Sequence, residues 1–183
     1  ACAAAAERRR PGVGTGGASA VQAVKATGPV RGFEVGEEGY VSEAHPGQPV
    51  RIHARTEAGA FYGIVSLQQH AYTGNDGGTY VPPGDVMDKP RFAWRGLMID
   101  DGRHIMGKAQ ILRMLDLMAL HKLNTLHWHL TEDQGWRVEI KKYPKLTEVG
   151  SQRDASPTMG NRNKPDGKPY GGFYTQEDLK EVV

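Results

Sequence analysis

The sequence holds a single cysteine, Cys2, among its 183 residues. No disulfide can therefore form within the chain, and cysteine usage leaves the redox compartment open. Excess charge is scarce too. Lys and Arg total 23 against 21 Asp and Glu, a net charge of +2, too small a surplus for nucleic-acid backbone binding as a function. No apolar run approaches the roughly 18 residues that a membrane-spanning helix requires. Hydrophobic residues make up 38%, while glycine and proline number 24 and 11. Much of the length is thus expected in loops.

Residues 1–20 are rich in Ala and Gly around Arg8-Arg9-Arg10. They offer too little apolar surface to offset the entropy of ordering, which predicts a disordered tail. Residues 21–88 read as a small α+β domain. A first strand starts at Val21, and a hairpin joins Gly39 to Ala44 with Val50 to Ala54 through His45-Pro46-Gly47-Gln48-Pro49. Thr56 then caps a helix running to about Ala71, with Phe61, Ile64, Val65 and Leu67 available for its buried face.

Residues 89–183 change character. Trp94 to His104 (WRGLMIDDGRH) begins as an apolar strand and ends in acids. Ile111, Met114, Leu115 and Met118 then recur with the spacing of one helix face. Asn124 to Leu130 is extended again. Strand, helix, strand over this length predicts a βαβ unit with parallel strands. After Tyr143-Pro144, residues 150–172 read as a long polar loop, and Thr175 with Asp178 resembles a capping box opening a last helix. Two parallel strands and their helices cannot close a barrel, so the chain reads as a fragment of a larger α/β protein. Leu97, Ile99, Leu126 and Leu130 are expected to need the missing strands and helices for their burial.

Polar residues cluster just past both strand ends, where parallel α/β folds bind ligands. Arg103-His104 follows the first strand. Arg103 presents a rigid fork of donors suited to vicinal hydroxyls or carboxylates; it could equally be a structural ion pair to Asp100. After the second strand come Glu132 and Asp133. Paired carboxylates suggest acid and base, but adjacent residues in extended chain point to opposite sides, whereas a glycosidase pair must flank one bond. His127 and His129 share one strand face and, with Asp133, could bind zinc. Without further fixed ligands, the pair reads better as histidines bonded to polar neighbours inside a barrel, with Trp128 facing the core.

Several long stretches together are recognisable. WRGLMIDDGRH, LMALHKLNTLHWHLTEDQGWRVEIKKYPKLTEVGS and GGFYTQEDLKEVV resemble, in order and spacing, the start of the catalytic domain of glycoside hydrolase family 20, the β-N-acetylhexosaminidases. EAGAFYGIVSLQQ and KPRFAWRG look like the end of that family's preceding α+β domain and its junction. The resemblance covers about residues 40–183. It implies an incomplete (β/α)8 TIM barrel over 89–183. It also implies release of terminal β-linked N-acetylglucosamine or N-acetylgalactosamine from oligosaccharides or glycoconjugates, with retention of configuration.

In that family the substrate's own 2-acetamido oxygen attacks the anomeric carbon, so neither a metal nor another cofactor is expected. By resemblance Arg103 binds sugar hydroxyls, while Asp100, Glu132, His129 and Asp133 support the site. Glu132 stands where the family commonly has an Asp that pairs with a histidine further along. The family's catalytic Asp-Glu pair lies in an HxGGDE motif found nowhere in these 183 residues. No catalytic residue is therefore assigned within the chain, and the fragment alone is expected to be inactive. Family membership suggests an exported setting, whether periplasmic, extracellular or lysosome-like. The competing reading is a non-catalytic carbohydrate-binding or partner-binding protein.

Overall fold

The computed structural model describes residues 21–158 and 161–183; the tail expected over residues 1–20 lies outside them. Two compact units divide the described chain. One runs up to Arg95 and includes Ala119–Lys122; the other comprises Gly96–Met118 and Leu123–Val183.

In the first unit, β1 (Val21–Lys25), β2 (Tyr40–Ala44) and β3 (Val50–Ala54) are followed by α1 (Glu57–His70). A short ribbon of β4 (Tyr72–Thr73) and β5 (Thr79–Tyr80) leads to β6 (Gly84–Asp88). The sheet order is β1-β3-β2-β6. The hairpin forms as the turn chemistry predicts, pairing β2 with β3 antiparallel, while β1 joins β3 in parallel. Thr56 caps α1 by accepting the Gly59 N–H. The helix settles on the sheet through two glycines. A Cβ on Gly63 would lie 2.5 Å from Ile52 Cγ2, and one on Gly59 would lie 2.5 Å from the Gly39 carbonyl oxygen. That close approach lets Tyr40, Ile52, Ala54 and Tyr62 form one cluster, with Phe61 and Ile64 only partly buried beside it.

In the second unit, β7 (Gly96–Asp100), α2 (Lys108–Leu120) and β8 (Thr125–His129) form the βαβ unit. The strands are parallel, with Met98 opposite His127 and Asp100 opposite His129. Period-two alternation sorts their side chains. Leu97, Ile99, Leu126 and Trp128 pack with Ile111, Tyr174 and Val182 in one core. Each fully buried aliphatic side chain there contributes about 1.5–3 kcal/mol. This differs from expectation: Leu97, Ile99, Leu126 and Leu130 pack on the helical side within this unit. The exposed residues are on the alternate face, where Met98 is 56% exposed.

Beyond β8, the chain makes a tight ribbon of β9 (Thr131–Glu132) and β10 (Gly135–Trp136), then a single-turn helix, α3 (Lys145–Glu148). The stretch expected as a long polar loop carries short strands among its described residues. It contains β11 (Gln152–Arg153), β12 (Pro157–Thr158), β13 (Asn161–Pro165) and β14 (Tyr170–Gly171), paired β11 with β14 and β12 with β13, all antiparallel. Last comes α4 (Gln176–Val182), opened by the full capping box between Thr175 and Asp178.

Candidate active site

The parallel register sets Asp100 and His129 side by side at the carboxyl ends of β7 and β8. The backbone then turns sharply: the N–H groups of Asp101 and Gly102 both donate to the His129 carbonyl at 3.0 Å. Asp100 caps this turn, its Oδ1 accepting the Arg103 N–H at 3.1 Å and its Oδ2 taking Arg103 Nη1. Arg103 Nη2 reaches Glu132 Oε2 at 2.9 Å. The guanidinium is therefore gripped from both strand ends, with the Arg103 side chain half exposed. Burial works to raise the Asp100 carboxyl, but the hydrogen bonds and charge of Arg103 outweigh it and hold the group below its ordinary range.

Glu132 behaves differently. A hydrogen bond with the Asp133 side chain, reinforced by burial, pushes its carboxyl above the usual range despite Arg103. The neighbouring Asp133 thus sets the protonation of Glu132 more strongly than Arg103 does. β9 ends at Glu132, and Asp133 begins the turn to β10. His129 Nε2 lies 3.7 Å from Glu132 Oε2 and is buried without a hydrogen bond. The His127 and His129 rings stack with centroids 6.4 Å apart. Among the described residues, no three His, Cys, Asp or Glu side chains are grouped to hold a metal ion.

Two residues outside the predicted set hold this loop. Asp101 is fully buried and accepts from Trp128 Nε1 at 2.8 Å, the Tyr174 hydroxyl at 2.6 Å and the Met106 N–H at 3.0 Å. Burial and this contact push the Tyr174 phenol well above its ordinary pKa. Arg137, also fully buried, donates to the carbonyls of Asp101, Gly102, Ser151 and Gly172. One guanidinium thereby ties three loops together. Arg153 adds a donor to the Arg103 carbonyl at 2.7 Å and lies over the Tyr170 ring. Arginine suits these places because its planar fork can satisfy several carbonyls at once.

The arrangement presents a fixed cation flanked by carboxylates at the end of a parallel sheet, a geometry suited to polyhydroxylated ligands. Residues 92–183 match the family model for the glycosyl hydrolase family 20 catalytic domain. The chain belongs to this family. Its sequence is 42% identical over 153 residues to a β-hexosaminidase of Porphyromonas gingivalis, covering 80% of this chain and 18% of that protein. It is 40% identical over 159 residues to N,N'-diacetylchitobiase of Vibrio harveyi, covering 82% of this chain and 18% of the chitobiase.

Among solved structures, the family 20 exo-β-N-acetylglucosaminidase of Vibrio harveyi in complex with N-acetylglucosamine aligns with a TM-score of 0.74 and 32% identity. That alignment covers 89% of this chain and 24% of the enzyme. A mutant Streptomyces plicatus β-hexosaminidase in complex with its product aligns with a TM-score of 0.71 and 34% identity, over 91% of this chain and 31% of that one. The mixed α/β fold is thus that of family 20 hexosaminidases. The chain spans about a fifth of the length of these two curated relatives.

Proposed function

We propose that the whole protein is a β-N-acetylhexosaminidase, releasing terminal β-linked N-acetylglucosamine or N-acetylgalactosamine from oligosaccharides or glycoconjugates by a substrate-assisted, retaining mechanism. Residues 89–183 supply the opening strands of a (β/α)8 barrel, and residues 21–88 the small α+β domain before it. Within these 183 residues Arg103 grips hydroxyls of the terminal sugar. Asp100, Glu132, His129 and Asp133 shape the wall around it. The acid–base Asp-Glu pair belongs to other parts of the whole enzyme, since no HxGGDE motif occurs here.

The observation that carries this reading is the double grip on Arg103, Asp100 on one nitrogen and Glu132 on the other. It leaves the guanidinium half exposed at the end of the parallel strands, where barrels of this class bind ligands. The names of the relatives supply the sugar.

The test is turnover of an aryl N-acetyl-β-glucosaminide by the full-length protein and its Arg103→Lys variant. Lysine offers a point charge in place of a fork. Losing bidentate contacts should lower kcat/KM by roughly 10–100-fold, the equivalent of about 1.5–3 kcal/mol of charged hydrogen bonding. A correctly folded variant with unchanged kcat/KM removes Arg103 from the sugar site. Sugar binding without turnover by the wild-type protein would favour the non-catalytic reading.

A further inference from the structure

Two carboxylates from different strand ends divide the Arg103 fork between them. Asp100 is the local partner: it engages the backbone N–H as well as Nη1, and so shapes the turn itself. Glu132 is the distant partner, twenty-nine residues along the chain, reaching Nη2 at 2.9 Å. The same Glu132 oxygen is 3.7 Å from His129 Nε2, outside hydrogen-bond range. Side-chain length decides the contact. An Asp at this position would retreat by about one carbon–carbon bond, ~1.5 Å, leaving the guanidinium nitrogen unbonded.

Gly102 makes room for the longer stem. A Cβ there would lie 3.0 Å from Glu132 Cβ, 3.3 Å from its Cγ and 3.2 Å from His129 Cδ2. The Glu132 side chain therefore lies directly against the turn that carries Arg103.

Taking Arg103 as the sugar-binding residue proposed above, we infer that Glu132 is its positioning residue, fixing the orientation in which the guanidinium meets the sugar hydroxyls. This differs from the role that family resemblance implies for the position, pairing with a histidine further along the chain. The energetics agree with a task of orientation. The Arg103 side chain is half exposed, so the pair contributes little to folding stability. Asp100 alone would leave the guanidinium free to pivot about the Nη1 contact; the second carboxylate removes that freedom. A ligand then meets a group whose ordering entropy has already been spent.

The experiment compares wild type, Glu132→Gln, Glu132→Asp and Gly102→Ala in the full-length protein. Steady-state kinetics on an aryl N-acetyl-β-glucosaminide are read beside calorimetric titration with N-acetylglucosamine. Loss of one charged contact predicts a rise in KM and Kd of about tenfold in Glu132→Gln and Glu132→Asp, with kcat little changed and thermal midpoints close to wild type. Gly102→Ala keeps the charge but displaces the stem, so a smaller rise in KM is expected. Glu132→Gln should add little in an Arg103→Lys background, because the residue to be oriented is already altered.

A fall in kcat with KM unchanged would assign Glu132 to the proton chemistry and end this inference. Unaltered KM and Kd in all three variants would end it equally. Failure of the enzymatic reading looks different: wild type binds N-acetylglucosamine without turnover, and the Kd comparison still decides whether Glu132 orients Arg103.

Discussion

At the residue scale, the features most easily read from sequence were the polar groups that follow a strand. Arg103 and Glu132 stand out because β7 and β8 announce their own ends, and parallel strands must bring those ends together. Asp101 and Arg137 had no comparable signal. Both are fully buried polar residues whose partners lie far along the chain, up to Tyr174 for one and Gly172 for the other. Their role depends on carbonyl positions that only the folded loops create. Arg137→Met should cost at least about 3 kcal/mol of unfolding free energy, because four carbonyls would lose a buried charged donor together. Denaturant unfolding measures it, and a loss below 1 kcal/mol would mean that water replaces the guanidinium. Glu132 supplies a pH prediction. Asp133 and burial raise its pKa, so protonation begins above the ordinary glutamate range. As pH falls through that raised value, the anionic hold on Arg103 is lost and KM should rise. Asp100 and Asp133 also face Glu132 and favour its protonation, while Arg103 opposes it. In Glu132→Gln this acid-side rise in KM should disappear, leaving a high, flat profile across the same range; a profile parallel to wild type would assign the titration to another group.

At the element scale, local rules carried most of the fold. Thr56 and Thr175 each cap a helix at the predicted residue, since their signals are confined to one turn. The stripe Ile111, Met114, Leu115 and Met118 belongs to α2, with Ile111 and Met118 buried. Residues 150–172 were illegible for the opposite reason. Their pairings are two-residue ribbons without apolar alternation, held by side-chain bonds such as Asp166 Oδ1 to the Ser156 N–H at 2.8 Å. Leu97, Ile99 and Leu126 lie on β7 and β8, and Leu130 follows β8 directly; their pattern suggests burial by elements outside this chain. The helices and Tyr174 bury Ile99 and partly bury Leu97, Leu126 and Leu130. Thr175→Ala should destabilise by about 1 kcal/mol through loss of the Asp178 N–H contact. Gly63→Ala should cost more, about 1–3 kcal/mol, because its methyl would lie 2.5 Å from Ile52 Cγ2 and 3.2 Å from the Tyr40 ring. A gain in thermal midpoint for Gly63→Ala, as helix propensity alone would give, would show that α1 can lift off the sheet without penalty.

At the scale of the whole molecule, family membership was legible because several long stretches keep their order, which chance spacing does not produce. Chemistry is a different matter, since it depends on groups gathered from many strands. A polypeptide of residues 1–183 made alone should therefore show no hexosaminidase activity. It contains no HxGGDE motif, and a positioned general acid–base by itself contributes roughly 10²–10⁴ in rate. Its β7–β8 sheet has two strands, so each keeps an outer edge unpaired among the described residues. The face carrying Met98 and His127 is open to water. Water at that face screens the Arg103 cluster, whereas a closed barrel would hold it in a preorganised, low-dielectric site. Unpaired strand edges should also make this polypeptide prone to association. Size-exclusion chromatography of the purified polypeptide, followed by assay on an aryl N-acetyl-β-glucosaminide, checks both expectations. Turnover that elutes with a monomer and vanishes in Glu132→Gln would place acid–base catalysis on Glu132 and Asp133, the two adjacent carboxyls at the end of β9.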